Sequence, residues 1–189
     1  MEVVLVRHGE TEWSRDGRHT GSTDVPLTEC GEAQARSVGA ALRGRPFALV
    51  LSSPLQRALE TARLAGFSPE ARPELVEWDY GRYEGRTTAE IREEVPDWTI
   101  WRHGAAGGES AEQVGARADS VIADLGAVDG DALVFAHGHL LRVLAARWLE
   151  LPPGDGRLLA LDSGTLSTLG YEREQRVIRV WNARPDASK

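Results

Sequence analysis

The sequence predicts an α/β fold: a three-layer α/β/α sandwich on a mostly parallel central sheet, with one antiparallel edge strand and a small helical cap. Three observations carry this. Short runs rich in Val, Leu and Ala recur at residues 3–6, 48–51 and 132–135, and runs apolar on both faces suit parallel strands covered by helices on each side. Amphipathic stretches of helical period lie between them, the alternation expected of a layered α/β domain. The chain has 189 residues, 41% of them hydrophobic and 27% charged, enough for one well-packed core and cramped for two, so residues 1–189 read as a single domain.

Taken in order, the first strand (3–6) leads to a helix that starts near Thr28 and carries Ala35, Val38, Gly39 and Leu42 as a narrow apolar stripe. After the second strand, Ser53 is the expected N-cap of the next helix, with Pro54 at its first position and Gln56 completing a capping box. That places Arg57 in the first turn. Residues 85–108 hold Trp98, Trp101 and several charges but no strand pattern, and read as the helical cap. Trp13, Trp78, Trp98 and Trp101 are expected to serve packing. A third helix starts at Ser110 with a capping-box Gln113 and an apolar face of Val114, Ala118, Val121, Ile122 and Leu125. A fourth spans about 140–149 and is stopped by Pro152 and Pro153. Residues 166–171 and 177–181 read as an antiparallel pair at a sheet edge; pairing with a second copy in a homodimer is one use of such an edge and closing the sheet is another.

Composition removes several function classes. A formal net charge of −7 argues against nucleic-acid binding, which draws its affinity from Lys and Arg on phosphates. The N-terminal residues show no signal-peptide pattern and no membrane span, so a cytoplasmic protein is expected. Cys30 is the single cysteine, which excludes an intrachain disulfide and a cysteine zinc site. There is no P-loop, no dinucleotide-binding glycine turn and no HExxH pattern, and no cofactor or metal is expected.

Chemistry concentrates at strand ends. VLVRHG and LVFAHG are both an apolar strand closing on His-Gly, which puts His8 and His137 where open α/β sheets bind their ligands. One such histidine is more often structural than catalytic, and two shift the balance. With parallel neighbouring strands, Arg7, His8, Arg57 and His137 converge on one rim. A cation in a helix's first turn opposes the helix dipole unless something anionic is present, and guanidinium groups bind phosphate oxygens bidentately. A neutral imidazole is a competent nucleophile toward phosphorus, and the arginines favour the neutral form of His8. Glu77, at the end of another apolar stretch, suits a proton donor to a departing alkoxide; a solvated surface carboxylate is its plainer role.

These residues resemble the histidine phosphatase, or phosphoglycerate mutase-like, superfamily. LVRHGETEW is similar to its N-terminal signature, SSPLQRALETA to its second block, VEWDYGRYEG to its third and FAHGHLLRVLAARWL to its fourth, in the family's order from residue 3 to about 170. The resemblance implies phosphorylation of His8, with Arg7, Arg57 and a protonated His137 holding the phosphate and Glu77 giving the proton. Ser14, Thr20, Gly21 and Gly138 would complete the phosphate site. Arg102 and His103 in the cap are candidates for a second phosphate. RHGETEWSRDGRHTGSTDVPLT, IWRHGAAGGES and AHGHLLRVLAARWLEL look most like the sedoheptulose-1,7-bisphosphatase-like, broad acid phosphatase branch. Mutases and fructose-2,6-bisphosphatases usually have Asn in place of Ser14, and mutases Asn in place of His139 and longer insertions. The implied activity is metal-independent hydrolysis of small phosphorylated metabolites such as sugar (bis)phosphates. A cofactor-dependent phosphoglycerate mutase and a noncatalytic phospho-ligand-binding module are the competing functions.

Overall fold

The computed structural model describes residues 1–185; the last four residues of the expected domain, 186–189, lie outside the described residues. The chain runs β1 (Val3–Arg7), α1 (Glu12–Arg15), α2 (Glu29–Ala41), β2 (Leu49–Ser52), α3 (Gln56–Leu64), β3 (Glu70–Ala71), α4 (Thr88–Glu94), α5 (Ile100–His103), α6 (Ala111–Gly126), β4 (Ala132–Ala136), α7 (Gly138–Trp148), β5 (Leu166–Glu172) and β6 (Gln175–Ala183), with short 3-10 turns between some of them. The strands form one sheet in the order β3-β2-β4-β1-β5-β6. The first four in that order are parallel. β5 runs antiparallel to both β1 and β6, so the antiparallel pair lies at the sheet edge as expected, with the reversed strand one place inward and β6 outermost. β3 has no counterpart in the sequence reading, because two exposed residues carry no apolar signal.

Strand periodicity divides the core. Val4 and Val6 of β1 and Leu133 and Phe135 of β4 pack with Val38, Leu42 and Ala62 from α2 and α3, while Val3, Leu5, Ala132 and Val134 point the other way into a larger cluster with α6 and α7. Alternate side chains of a strand face opposite sides, and a helical layer on each side buries both sets. The cap segment contains α4 and α5, and its Ile91, Trp98 and Ile100 are buried in the larger cluster. Trp78 and Trp98 are fully buried, as packing residues should be.

Two of the expected helix starts hold. Thr28 accepts the Gly31 N–H at the start of α2, and Ser110 with Gln113 forms a reciprocal capping box on α6. The start of α3 differs. Its N-cap is Leu55, which makes no side-chain bond, and the Gln56 N–H is taken instead by Asp24 Oδ1 at 2.9 Å. Ser53 is diverted because its hydroxyl meets His137 at 2.7 Å, a tertiary partner that local capping rules do not see.

Candidate active site

Strand register builds the centre of the site. Arg7 pairs with Ala136 across β1 and β4, so the next residues on each strand, His8 and His137, emerge side by side with ring centroids 5.2 Å apart. The His8 N–H donates to the Ala136 carbonyl. From the other side of β4, the Ser53 N–H donates to the Phe135 carbonyl, which carries the start of α3, and with it Arg57, to the same rim.

Hydrogen bonds set the two imidazoles. His8 Nδ1 lies 2.7 Å from the Gly9 carbonyl; a carbonyl only accepts, so Nδ1 carries the proton and Nε2 keeps its lone pair. Burial, then Arg57 and Arg7, lowers the His8 pKa well below the usual 6.5, which preserves that lone pair. His137 Nε2 lies 2.7 Å from the Ser53 hydroxyl, which also accepts the Leu55 N–H. Burial first, then Arg57, His8 and Arg7, lowers the His137 pKa well below 6.5, a direction opposite to the protonated His137 expected from the sequence. Two nearby guanidinium groups and the absence of solvent both disfavour a third cation.

Both arginines are partly committed to backbone. Arg57 is fully buried and donates to the carbonyls of Thr20, Gly21 and Thr23, which offsets the cation in the first turn of α3. Arg7 Nη1 donates to the Leu161 carbonyl at 2.5 Å. Among the described residues, four buried side-chain polar atoms have no partner, and three of them are Arg7 Nε, Arg57 Nε and His137 Nδ1. Unpaired buried polar atoms are costly and rare; the two guanidinium N–H groups in this neighbourhood match the acceptor oxygens of a phosphate. Gly138 keeps this space open, since a Cβ there would stand 3.3 Å from Arg7 Cζ.

Glu77 is held by the N-terminus of α7. Its Oε1 accepts the Trp78 and Leu140 N–H groups, both at 2.9 Å, and its Oε2 accepts the His139 N–H at 3.0 Å. Free amides of a first helical turn pair naturally with a carboxylate. The helix that follows His137 therefore also orients Glu77.

A cavity of about 180 Å³ opens over His8 and Glu77, with Arg7, Ser14, Thr20 and Gly138 in its wall. Arg18, His19, Tyr80, His139 and Arg142 line the same cavity. Burial lowers the His19 pKa to about 4 and that of His139 well below 6.5, and raises that of Tyr80, so these are neutral groups. The Tyr80 hydroxyl lies 2.6 Å from His139 Nδ1, so the two groups share one hydrogen bond. Arg142 rests 4.5 Å over the Trp101 ring, and its Nε donates to the Gly156 carbonyl.

Residues 3–184 match the family model described as "Histidine phosphatase superfamily (branch 1)". The chain belongs to the histidine phosphatase superfamily. An acid phosphatase of Mycobacterium tuberculosis is 44% identical over 183 residues, covering 94% of this chain and 90% of that protein. A sedoheptulose 1,7-bisphosphatase of Saccharomyces cerevisiae is 38% identical over 183 residues, covering 78% and 67%. A solved structure of an open reading frame product of Mycobacterium tuberculosis superposes with a TM-score of 0.94 at 42% identity, covering 98% of each chain.

In this histidine phosphatase, the sequence-expected residues divide into three groups. His8, Arg7, Glu77 and Gly138 line the cavity, and Arg57 and His137 lie fully buried beside it, with Arg57 lowering the pKa values of both His8 and His137. Ser14 and Thr20 also line the cavity, and Gly21 follows Thr20, but the polar groups of all three are engaged. The Ser14 hydroxyl donates to the Thr11 carbonyl, Thr20 Oγ1 to the Arg18 carbonyl, and the Gly21 N–H to the Glu84 carboxylate. Gly21 also tolerates no side chain, because a Cβ would meet the Trp78 carbonyl at 2.8 Å. Arg102 and His103 are exposed at the end of α5 and are not among the residues of the cavity wall. Arg142 was missed although the sequence held a signal: it follows His139 by three residues on one helix, which puts both on one face. His19 and Tyr80 come from loops and carried none.

Proposed function

We propose that this histidine phosphatase hydrolyses small phosphomonoesters without a metal, using His8 as nucleophile. The observation that carries it is the free Nε2 lone pair of His8, fixed by the Gly9 carbonyl, beside the unpartnered Arg7 Nε, Arg57 Nε and His137 Nδ1. The N–P bond forms from His8 Nε2 as the ester P–O bond breaks, and Glu77 gives its proton to the departing alcohol. Glu77, now a carboxylate, takes a proton from water, whose oxygen attacks phosphorus; the N–P bond breaks and inorganic phosphate leaves. Charge on the equatorial oxygens is met by preorganised guanidinium and imidazole donors.

The substrate class follows from the cavity wall. Arg142, Arg18 and the neutral imidazoles of His19 and His139 suit a second anionic group and hydroxyls, as in a sugar bisphosphate, and replace Arg102 and His103 in that role. Arg142 lies in no ion pair among the described residues, whereas Arg147 on the same helix is paired with Asp119. One domain with a cap and a reducing, cytoplasmic location, suggested by the lone Cys30, complete the proposal. No helix among the described residues is long and apolar enough to cross a membrane. A homodimer would use the outer edge of β6, which pairs with no further strand there.

The test is phosphate release with EDTA present, from sugar monophosphates, sugar bisphosphates, p-nitrophenyl phosphate and 3-phosphoglycerate. Release by wild type and its loss in His8→Ala are expected. No release from any ester by folded wild type would favour the binding module, and conversion of 3-phosphoglycerate to its isomer the mutase.

A further inference from the structure

The stretch that carries Glu77 has little structure of its own. Residues 73–75 form a 3-10 turn, and residues 77–80 belong to no helix or strand. Backbone without a ladder takes its position from side chains. Arg117, on α6, supplies much of it: Nη1 donates to the carbonyls of Glu74 at 2.6 Å and Val76 at 3.0 Å, and Nη2 reaches the Glu77 carbonyl at 3.5 Å. The same guanidinium forms a fork with Glu109, Nε to Oε1 and Nη2 to Oε2, each at 2.8 Å.

Glu109 grips the other side of the segment. Its Oε2 also accepts the Asp79 N–H, its own N–H donates to the Asp79 carbonyl, and its carbonyl accepts the Trp78 indole N–H, all at 2.9 Å. Both side chains are largely buried, each 19% exposed. They line a second cavity of about 370 Å³ that also reaches Glu77 and are not part of the wall around His8.

We infer that Arg117 and Glu109 are positioning residues for the proton donor: a clamp that sets the backbone of residues 74–79 so that the Glu77 carboxyl meets the leaving oxygen. This rests on Glu77 acting as the acid. Glu77 is thus held from two directions, its backbone by α6 and its carboxylate by the first turn of α7. The guanidinium's protein bonds all fall on the Glu77 segment and on Glu109, which grips that same segment, a concentration that a general packing role does not require. Planar bidentate geometry makes lysine a poor substitute.

Leaving-group dependence tests this, because p-nitrophenolate departs without a proton and an alkoxide does not. The rate of phosphoryl transfer to His8 is measured in single turnovers with p-nitrophenyl phosphate and with an alkyl phosphate, for wild type, Glu77→Gln, Arg117→Met and Glu109→Gln. In Arg117→Met and Glu109→Gln the alkyl ester is expected to lose roughly tenfold or more beyond any loss on the aryl ester, the pattern of impaired acid catalysis. Equal losses on both esters, or no loss, in variants whose circular dichroism matches wild type would overturn the clamp. If Arg117→Met does not fold, the isosteric Glu109→Gln decides by the same comparison. A Glu77→Gln variant that loses equally on both esters would instead overturn Glu77 as the acid, and the clamp with it; a leaving-group effect in Glu77→Gln but in neither clamp variant overturns the clamp alone.

Discussion

The reactive histidine is defined by one bond. With Nδ1 donating to the Gly9 carbonyl, only Nε2 keeps a lone pair, and burial together with Arg57 and Arg7 favours its unprotonated form. Arg7, His8, Arg57, Glu77 and His137 were legible in the sequence because each closes or follows an apolar run within a recognisable block. Arg102 and His103, candidates for a second phosphate on sequence, lie exposed at the end of α5. Arg142 lines the cavity. Replacing it by Ala should lower kcat/KM for a sugar bisphosphate roughly ten- to hundredfold, the equivalent of one charge-assisted hydrogen bond, and barely change it for the monophosphate. Parallel losses on both substrates, in steady-state assays, would argue against a second-anion role.

Helix starts show where element-level rules stop. Thr28 and Ser110 cap as read: the Thr28 hydroxyl donates to Glu10 Oε1 and still accepts the Gly31 N–H, and Ser110 accepts the Gln113 N–H. Ser53 instead meets His137 and leaves the Gln56 N–H of α3 to Asp24, 32 residues away. Asp24→Ala should therefore destabilise the fold by about 1 kcal/mol, as loss of an N-cap does, and Ser53→Ala should disturb the imidazole rather than the helix. Denaturant unfolding of Asp24→Ala checks this; a midpoint equal to wild type would show that the Gln56 amide needs no protein acceptor.

Burial of the site leaves a mark on the whole molecule. His8, His19, His137 and His139 all have pKa values lowered by burial. In the unfolded chain each takes a proton near pH 6.5, so below that the unfolded state binds more protons and the folded state loses ground. Stability should be full above about pH 6.5 and fall steadily toward pH 4, where His19 itself titrates. Thermal unfolding at pH 7.5 and pH 5 tests this. An equal or higher melting temperature at pH 5 would mean that the histidines are charged in the folded protein, contrary to their surroundings.

By itself the sequence determined the layers, the parallel strands and the two His-Gly rims, since apolar period and strand-end motifs are local and survive without coordinates. It could not determine what each side chain touches. Partners separated by tens of residues, such as Arg117 with the Glu77 segment, Ser53 with His137 and Asp24 with Gln56, exist only once the sheet register brings their elements together. Buried hydrogen-bonding groups take whatever acceptor the packed fold puts within reach, and that choice belongs to the tertiary structure.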